Sequence, residues 1–138
     1  MSRVFFGVFL VFAAGCTSGP APPKTYTARG TVVYKDGKPM SGGSIELTTT
    51  DDPLLRVFGD IGADGSFSLT TVKDNARVDG APAGQYRVMV QPPMVHDSRG
   101  GLEGAHKGVP AIAIPLPMRI EAGDNTNLKV EIPPGQGK

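Results

Sequence analysis

The chain has no tryptophan, one cysteine and few aromatic residues, and most of its phenylalanines sit where they cannot serve a folded domain. Phe5, Phe6, Phe9 and Phe12 fall within the first twelve residues. Everything after them holds only Phe58, Phe67, Tyr26, Tyr34 and Tyr86. Exported sugar-binding domains usually present exposed aromatic platforms, and every one of these five except Phe58 occupies a predicted inward position. An excess of charge of one sign is also missing. The 14 Lys and Arg balance 13 Asp and Glu, and setting Arg3 aside leaves 13 against 13. No basic run or stripe appears along the chain, so the electrostatic footprint of a nucleic-acid binder is absent. With one cysteine there is no internal disulfide.

Catalytic signatures are missing too. There is no G-x-S-x-G elbow, and neither histidine opens an H-E-x-x-H zinc motif. His96, Asp97 and Ser98 are adjacent, whereas a nucleophilic triad needs side chains converging from separate elements. Four candidate metal ligands, His96, Asp97, Glu103 and His106, share one Gly-rich loop, but their spacing fits no standard site and metal would have to order the loop itself. Asp51, Asp52, Asp60 and Asp64 lack the spacing of a calcium loop and read as turn residues. The expectation is a protein that is not an enzyme and carries no cofactor. A sugar- or metal-binding module using residues 92–110 is the alternative reading, and a cryptic hydrolase a more distant one.

What is present begins with an address. Met1-Ser2-Arg3 supplies one positive charge, and Val4 to Ala14 is an apolar run of eleven residues. Ala13-Ala14-Gly15 then leads to Cys16. A charged start, a short apolar stretch and small residues before a junction are the parts of an export signal. The run is also too short to span a bilayer, which takes about twenty apolar residues. An unpaired cysteine in an exported chain requires a reason, and here it falls at the junction itself. Residues 16–24, rich in Pro and polar side chains, read as an extended tether.

From Tyr26 to Lys35 the residues alternate, with Tyr26, Ala28, Gly30, Val32 and Tyr34 on one side, as in a half-buried strand. Asp36-Gly37 marks a turn, and Gly42-Gly43 a second bend. Ser44 to Thr50, Leu54 to Ile61, Ser66 to Thr71 and Gly84 to Val90 follow as strands. Their predicted inward residues include Ile45, Leu47, Phe67, Leu69, Tyr86, Val88 and Val90. Residues 72–82 read as a connecting loop. Residues 92–110 have no periodicity, and a loop of that length is functional or mobile. Alternation returns at Ile114, Leu116, Met118 and Ile120. Pro115 and Pro117 cannot donate to a ladder, which places this strand at a sheet edge. Gly123-Asp124-Asn125 turns the chain into a last strand with Leu128, Val130 and Ile132. About seven short strands without helical periodicity predict an all-β, antiparallel β-sandwich preceded by an apolar signal helix. The domain boundaries that follow are 1–15 signal, 16–24 tether, 25–133 sandwich and 134–138 tail.

Two resemblances extend this reading. Ala13 to Cys16 resembles the lipobox of a bacterial lipoprotein signal, with Ala13 where leucine is usual. The resemblance implies cleavage before Cys16 and its acylation with palmitate-type chains, and Thr17 after it favours the outer membrane. Asp36-Gly37-Lys38-Pro39 with Gly43-Ser44-Ile45-Glu46-Leu47, then Asp64-Gly65-Ser66-Phe67, then Gly84-Gln85-Tyr86-Arg87-Val88 resemble in order the signatures of a carboxypeptidase-regulatory-like (transthyretin/prealbumin-like) domain. Together with the lipobox they resemble the small lipoproteins of planctomycete-type bacteria, although Ile114-Pro115-Leu116-Pro117 stands where such chains often carry Ile-Pro-x-Lys-Tyr. The family carries no peptidase activity, and the chain's ending lacks the Tyr-Arg-Gly-Ser of transthyretin-like hydrolases. What is implied is a monomeric, membrane-anchored cell-envelope lipoprotein that meets an envelope protein or polysaccharide and no nucleic acid. Its expected contact surfaces are residues 92–110 and the Pro-rich edge strand.

Overall fold

A computed structural model describes residues 21–94 and 109–135. The predicted signal, Cys16 and the four candidate metal ligands His96, Asp97, Glu103 and His106 lie outside the described residues. Within them the chain forms nine strands and no helix. These are β1 (Ala28–Tyr34), β2 (Ser44–Thr48), β3 (Arg56–Asp60), β4 (Ser66–Ser68), β5 (Thr70–Lys73), β6 (Ala76–Asp79), β7 (Gly84–Gln91), β8 (Ile112–Ile120) and β9 (Asn125–Ile132). One sheet has the order β6-β5-β3-β2-β7-β8 and the other β4-β1-β9. They pack over one core that includes Val32, Ile45, Leu47, Val57, Val90 and Ile132, the arrangement of a β-sandwich.

The period-2 pattern gives the faces correctly along most strands. Val32, Ile45, Leu47, Tyr86, Val88, Val90, Val130 and Ile132 are all buried. Pairing has three features that the alternation does not carry. First, β1 and β2 are not partners. Asp36-Gly37 does turn the chain, with Gly37 at φ 84° and Gly37 N–H donating to the Tyr34 carbonyl over 2.8 Å. The returning segment bonds β1 only as far as Met40, whose N–H donates to Val32. Gly42 and Gly43, both at positive φ, then carry the chain across to the other sheet. A Cβ on Gly43 would run into the Gln91 carbonyl, so the crossing needs glycine for space as well as for backbone conformation.

Second, the predicted strand Ser66–Thr71 serves both sheets. β4 pairs with β1, β5 pairs with β3, and Leu69 between them is 1% exposed. Strands that switch sheets make the corners of sandwiches. Third, β1 and β9 run parallel, while every other pairing is antiparallel.

The predicted loop 72–82 is instead the end of β5, a tight turn and β6. Asp74 and Asn75 occupy the turn with φ of 49° and 64°, the left-handed region that Asp and Asn tolerate best among residues other than glycine. Leu54, predicted to begin a strand, precedes β3 and is exposed. Asn125 holds the turn between β8 and β9. Its amide nitrogen donates to the carbonyls of Glu121 (3.0 Å) and Gly123 (2.9 Å), and its side-chain oxygen accepts from Glu121 N–H (2.9 Å).

Two carboxylates are held below the ordinary aspartate range. Asp52 accepts a hydrogen bond from Lys73 Nζ at 2.5 Å, the largest cause of its shift, and Lys73 is raised in return. Asp64 accepts from the Ser66 hydroxyl at 2.6 Å and the Ser66 amide at 3.0 Å. A depressed carboxylate contributes stability that is complete above its unfolded pKa, about 3.9, and disappears as pH falls through the folded value. The urea midpoint should therefore be level on this account from pH 5 to 8 and decline below about pH 4. Asp52→Asn with Asp64→Asn should flatten that acid limb, and an unchanged limb would remove these two groups as its source. The effect is modest because both sites are exposed to screening by solvent.

Candidate functional site

The sandwich is closed on one side by the continuous run from β4 through Leu69 to β5. On the other side it is open. There β8 and β9, the edge strands of their respective sheets, face one another without a hydrogen-bonded ladder. The sequence placed β8 at an edge because of Pro115 and Pro117, and the structure agrees.

The alternation through Leu116 is corrected by a bulge. Tyr86 pairs with Met118 and Val88 with Ile114, so Arg87 alone stands opposite Pro115-Leu116-Pro117. Two prolines without N–H groups cannot bond to β7, and the ladder skips them. Two extra residues preserve the inward phase on either side, which is why Ile112, Met118 and Ile120 are buried. Leu116, at the crest, is 76% exposed.

The bulge forms one lip of an apolar cleft of about 570 Å³ between the two edges. Val88, Ile114 and Leu116 line one side, Leu128, Val130 and Pro133 the other, and Lys35, Arg119, Lys129 and Glu131 are also at its margin. At the far end, Gln91 on β7 donates through its side-chain nitrogen to the Val109 carbonyl over 2.5 Å, tying down the start of the segment that becomes β8. A wider, more open depression of about 830 Å³ crosses the outer side of the three-stranded sheet, over Arg29, Thr31, Ser68 and Lys129. It is a shallow concavity of mixed polar and apolar lining without enclosing walls.

Tyr86 shows how the end of β7 near this region is fixed. Its ring is buried and its hydroxyl donates to the Pro82 carbonyl at 2.9 Å, with burial pushing its pKa up. A phenol so placed is a structural group. Among the described residues no three His, Cys, Asp or Glu side chains come together as metal ligands. No helix among them is long and apolar enough to cross a membrane. The geometry thus defines a two-sheet, all-β domain with one open apolar edge. Comparison of the chain with family models, with curated proteins and with solved structures finds no match.

Proposed function

We propose that the chain is a lipid-anchored lipoprotein of the cell envelope, attached through Cys16, whose carboxypeptidase-regulatory-like sandwich is a non-enzymatic docking module. The observation that carries the docking role is Leu116, a large apolar side chain held out in solvent at the lip of an apolar cleft. An exposed apolar surface with a polar margin is the usual form of an interaction site.

The occupant this cleft suits is an extended apolar segment of an envelope protein. Pro115 and Pro117 remove two N–H donors from the middle of β8 and bulge it, so the more regular ladder to the newcomer falls to β9, which is free of proline from Asn125 to Ile132 and pairs on one side alone. Main-chain bonds to β9 would give affinity, and alternate side chains entering the cleft would give selectivity. A pull-down from solubilised membranes tests this. Leu116→Glu should lose the captured partner while the isolated protein keeps its urea midpoint, because the side chain is exposed. A variant that retains every partner would show that the cleft is not the contact. The anchoring half is read separately, by the mass of the mature N-terminus, which should begin at Cys16 and carry acyl groups.

A further inference from the structure

The fold assembles a charge pattern that linear order conceals. On the outer face of the six-stranded sheet, Arg77 on β6 pairs with Val72 on β5, and Val72 pairs with Arg56 on β3. The ladder from β3 through β2 to β7 then places Thr48 beside Arg56, and Thr48 pairs with Arg87. Three arginines therefore stand in one transverse row, separated by a valine and a threonine. All three are exposed. Among the described residues none of them is in an ion pair.

Neighbouring strands lie about 4.8 Å apart, so successive arginines are about 9.6 Å apart and the row about 19 Å long. The next row on the same face is Asp79, Thr70, Phe58, Glu46 and Met89. It lies two residues along the strands, about 7 Å away, and contributes two acids. Phe58, the outward aromatic noted in the sequence, sits beneath Arg77 with the guanidinium 5.5 Å from the ring centroid.

We infer that this row is a binding site for an acidic polysaccharide with one anionic group on every second sugar. Three arguments from geometry select that ligand. Nucleic acid presents a charge roughly every 3.4 Å along each strand, so most of its phosphates would meet valine or threonine. A bilayer is flat, whereas strand twist of about 20–25° per step turns Arg77 and Arg87 roughly 80–100° apart in direction. A bilayer would also meet Glu46 and Asp79, offsetting two of the three positive charges. A single flexible chain can follow the twisted row and stay clear of the acids. A sugar ring linked through opposite sides is about as long as one strand spacing, so a disaccharide repeat spans the interval between arginines. The inference uses the envelope reading only for where such a polymer would be met.

The test uses the unlipidated chain 17–138, which keeps every core residue and lacks Cys16, and its variants leave Leu116 unchanged, so its failure and that of the proposed function are read separately. Hyaluronate, with one carboxylate per disaccharide, is the probe. At low salt the protein should bind it, with affinity falling as salt is raised. Arg56→Gln, Arg77→Gln and Arg87→Gln should each weaken binding about two- to fivefold, and the triple variant about tenfold to a hundredfold. Glu46→Gln should strengthen it about twofold. Arg29→Gln, on the outer face of the other sheet, should change nothing, which separates the row from net charge. An unchanged urea midpoint for the triple variant shows that folding is intact. The inference is overturned if hyaluronate is not bound, or if the triple variant binds it as the parent does. It is equally overturned if polythymidylate or phosphatidylglycerol vesicles bind at least as tightly at matched anionic charge.

Discussion

Replacing Cys16 with serine should abolish fatty-acyl labelling of the protein and move it from the membrane pellet to the soluble fraction. The size of the expected effect follows from acyl transfer. Each buried CH₂ contributes about 0.8 kcal/mol, a single myristoyl-length chain holds reversibly, and two or more chains hold stably. Serine offers no thiolate for the lipid to be attached to, so the whole of that free energy is lost in one substitution. The apolar run Val4–Ala14, eleven residues long, falls short of the roughly twenty needed to span the hydrocarbon. Among the described residues no helix can take over that role. Two readings guard the test. Labelling reports the acylation chemistry, and fractionation through a high-salt wash reports attachment. If the serine variant kept its label, or stayed in the pellet through the wash, the lipid-anchored part of the proposed function would fall. The cleft and the arginine row would be untouched by that failure, since their tests use other residues.

How much of this was legible beforehand depends on which property of a strand is asked for. Facing is local. Val88 and Val90 announce a buried side through spacing alone, and both are buried. Partnership is not local. Tyr34 and Ser44 are close in sequence, but β1 and β2 belong to different sheets, and period-2 spacing carries no information about that choice. The β5–β6 hairpin was missed because its turn contains no glycine or proline. Asp74-Asn75, next to the β-branched Thr70-Thr71-Val72, is the signal that would have found it. At Leu116 the alternation was right in phase and wrong in outcome, because the two prolines that identified the edge also forced the bulge. The arginine row was beyond any linear reading. Arg56, Arg77 and Arg87 come from three strands, and only the register of four pairings aligns them. The expected sites Cys16, His96, Asp97, Glu103 and His106 all lie outside the described residues.

Leu69 is where a single substitution should damage the fold most. The residue lies between β4 and β5, at the point where one continuous strand leaves the three-stranded sheet for the six-stranded one. Its backbone is committed on both sides: Leu69 N–H donates to the Ala28 carbonyl at 2.9 Å, and its own carbonyl accepts from Gly80 N–H at 2.8 Å. With the backbone held at both ends, the chain has little room to collapse into the space a shorter side chain leaves. Leu69→Ala should therefore fall in the upper part of the range for buried leucines, about 3–5 kcal/mol by urea unfolding. Stability of a domain this size is of the order of 5–15 kcal/mol, so a loss of that size would leave much of the variant unfolded on mild heating. Leu54→Ala makes the comparison sharp, because Leu54 is 69% exposed and the same chemical change there should cost less than about 0.5 kcal/mol. Equal effects at the two positions would mean that the strand does not switch sheets at Leu69. The contrast between the open β8–β9 side and a closed opposite side would then be lost, and with it the geometric argument for the cleft as a docking place.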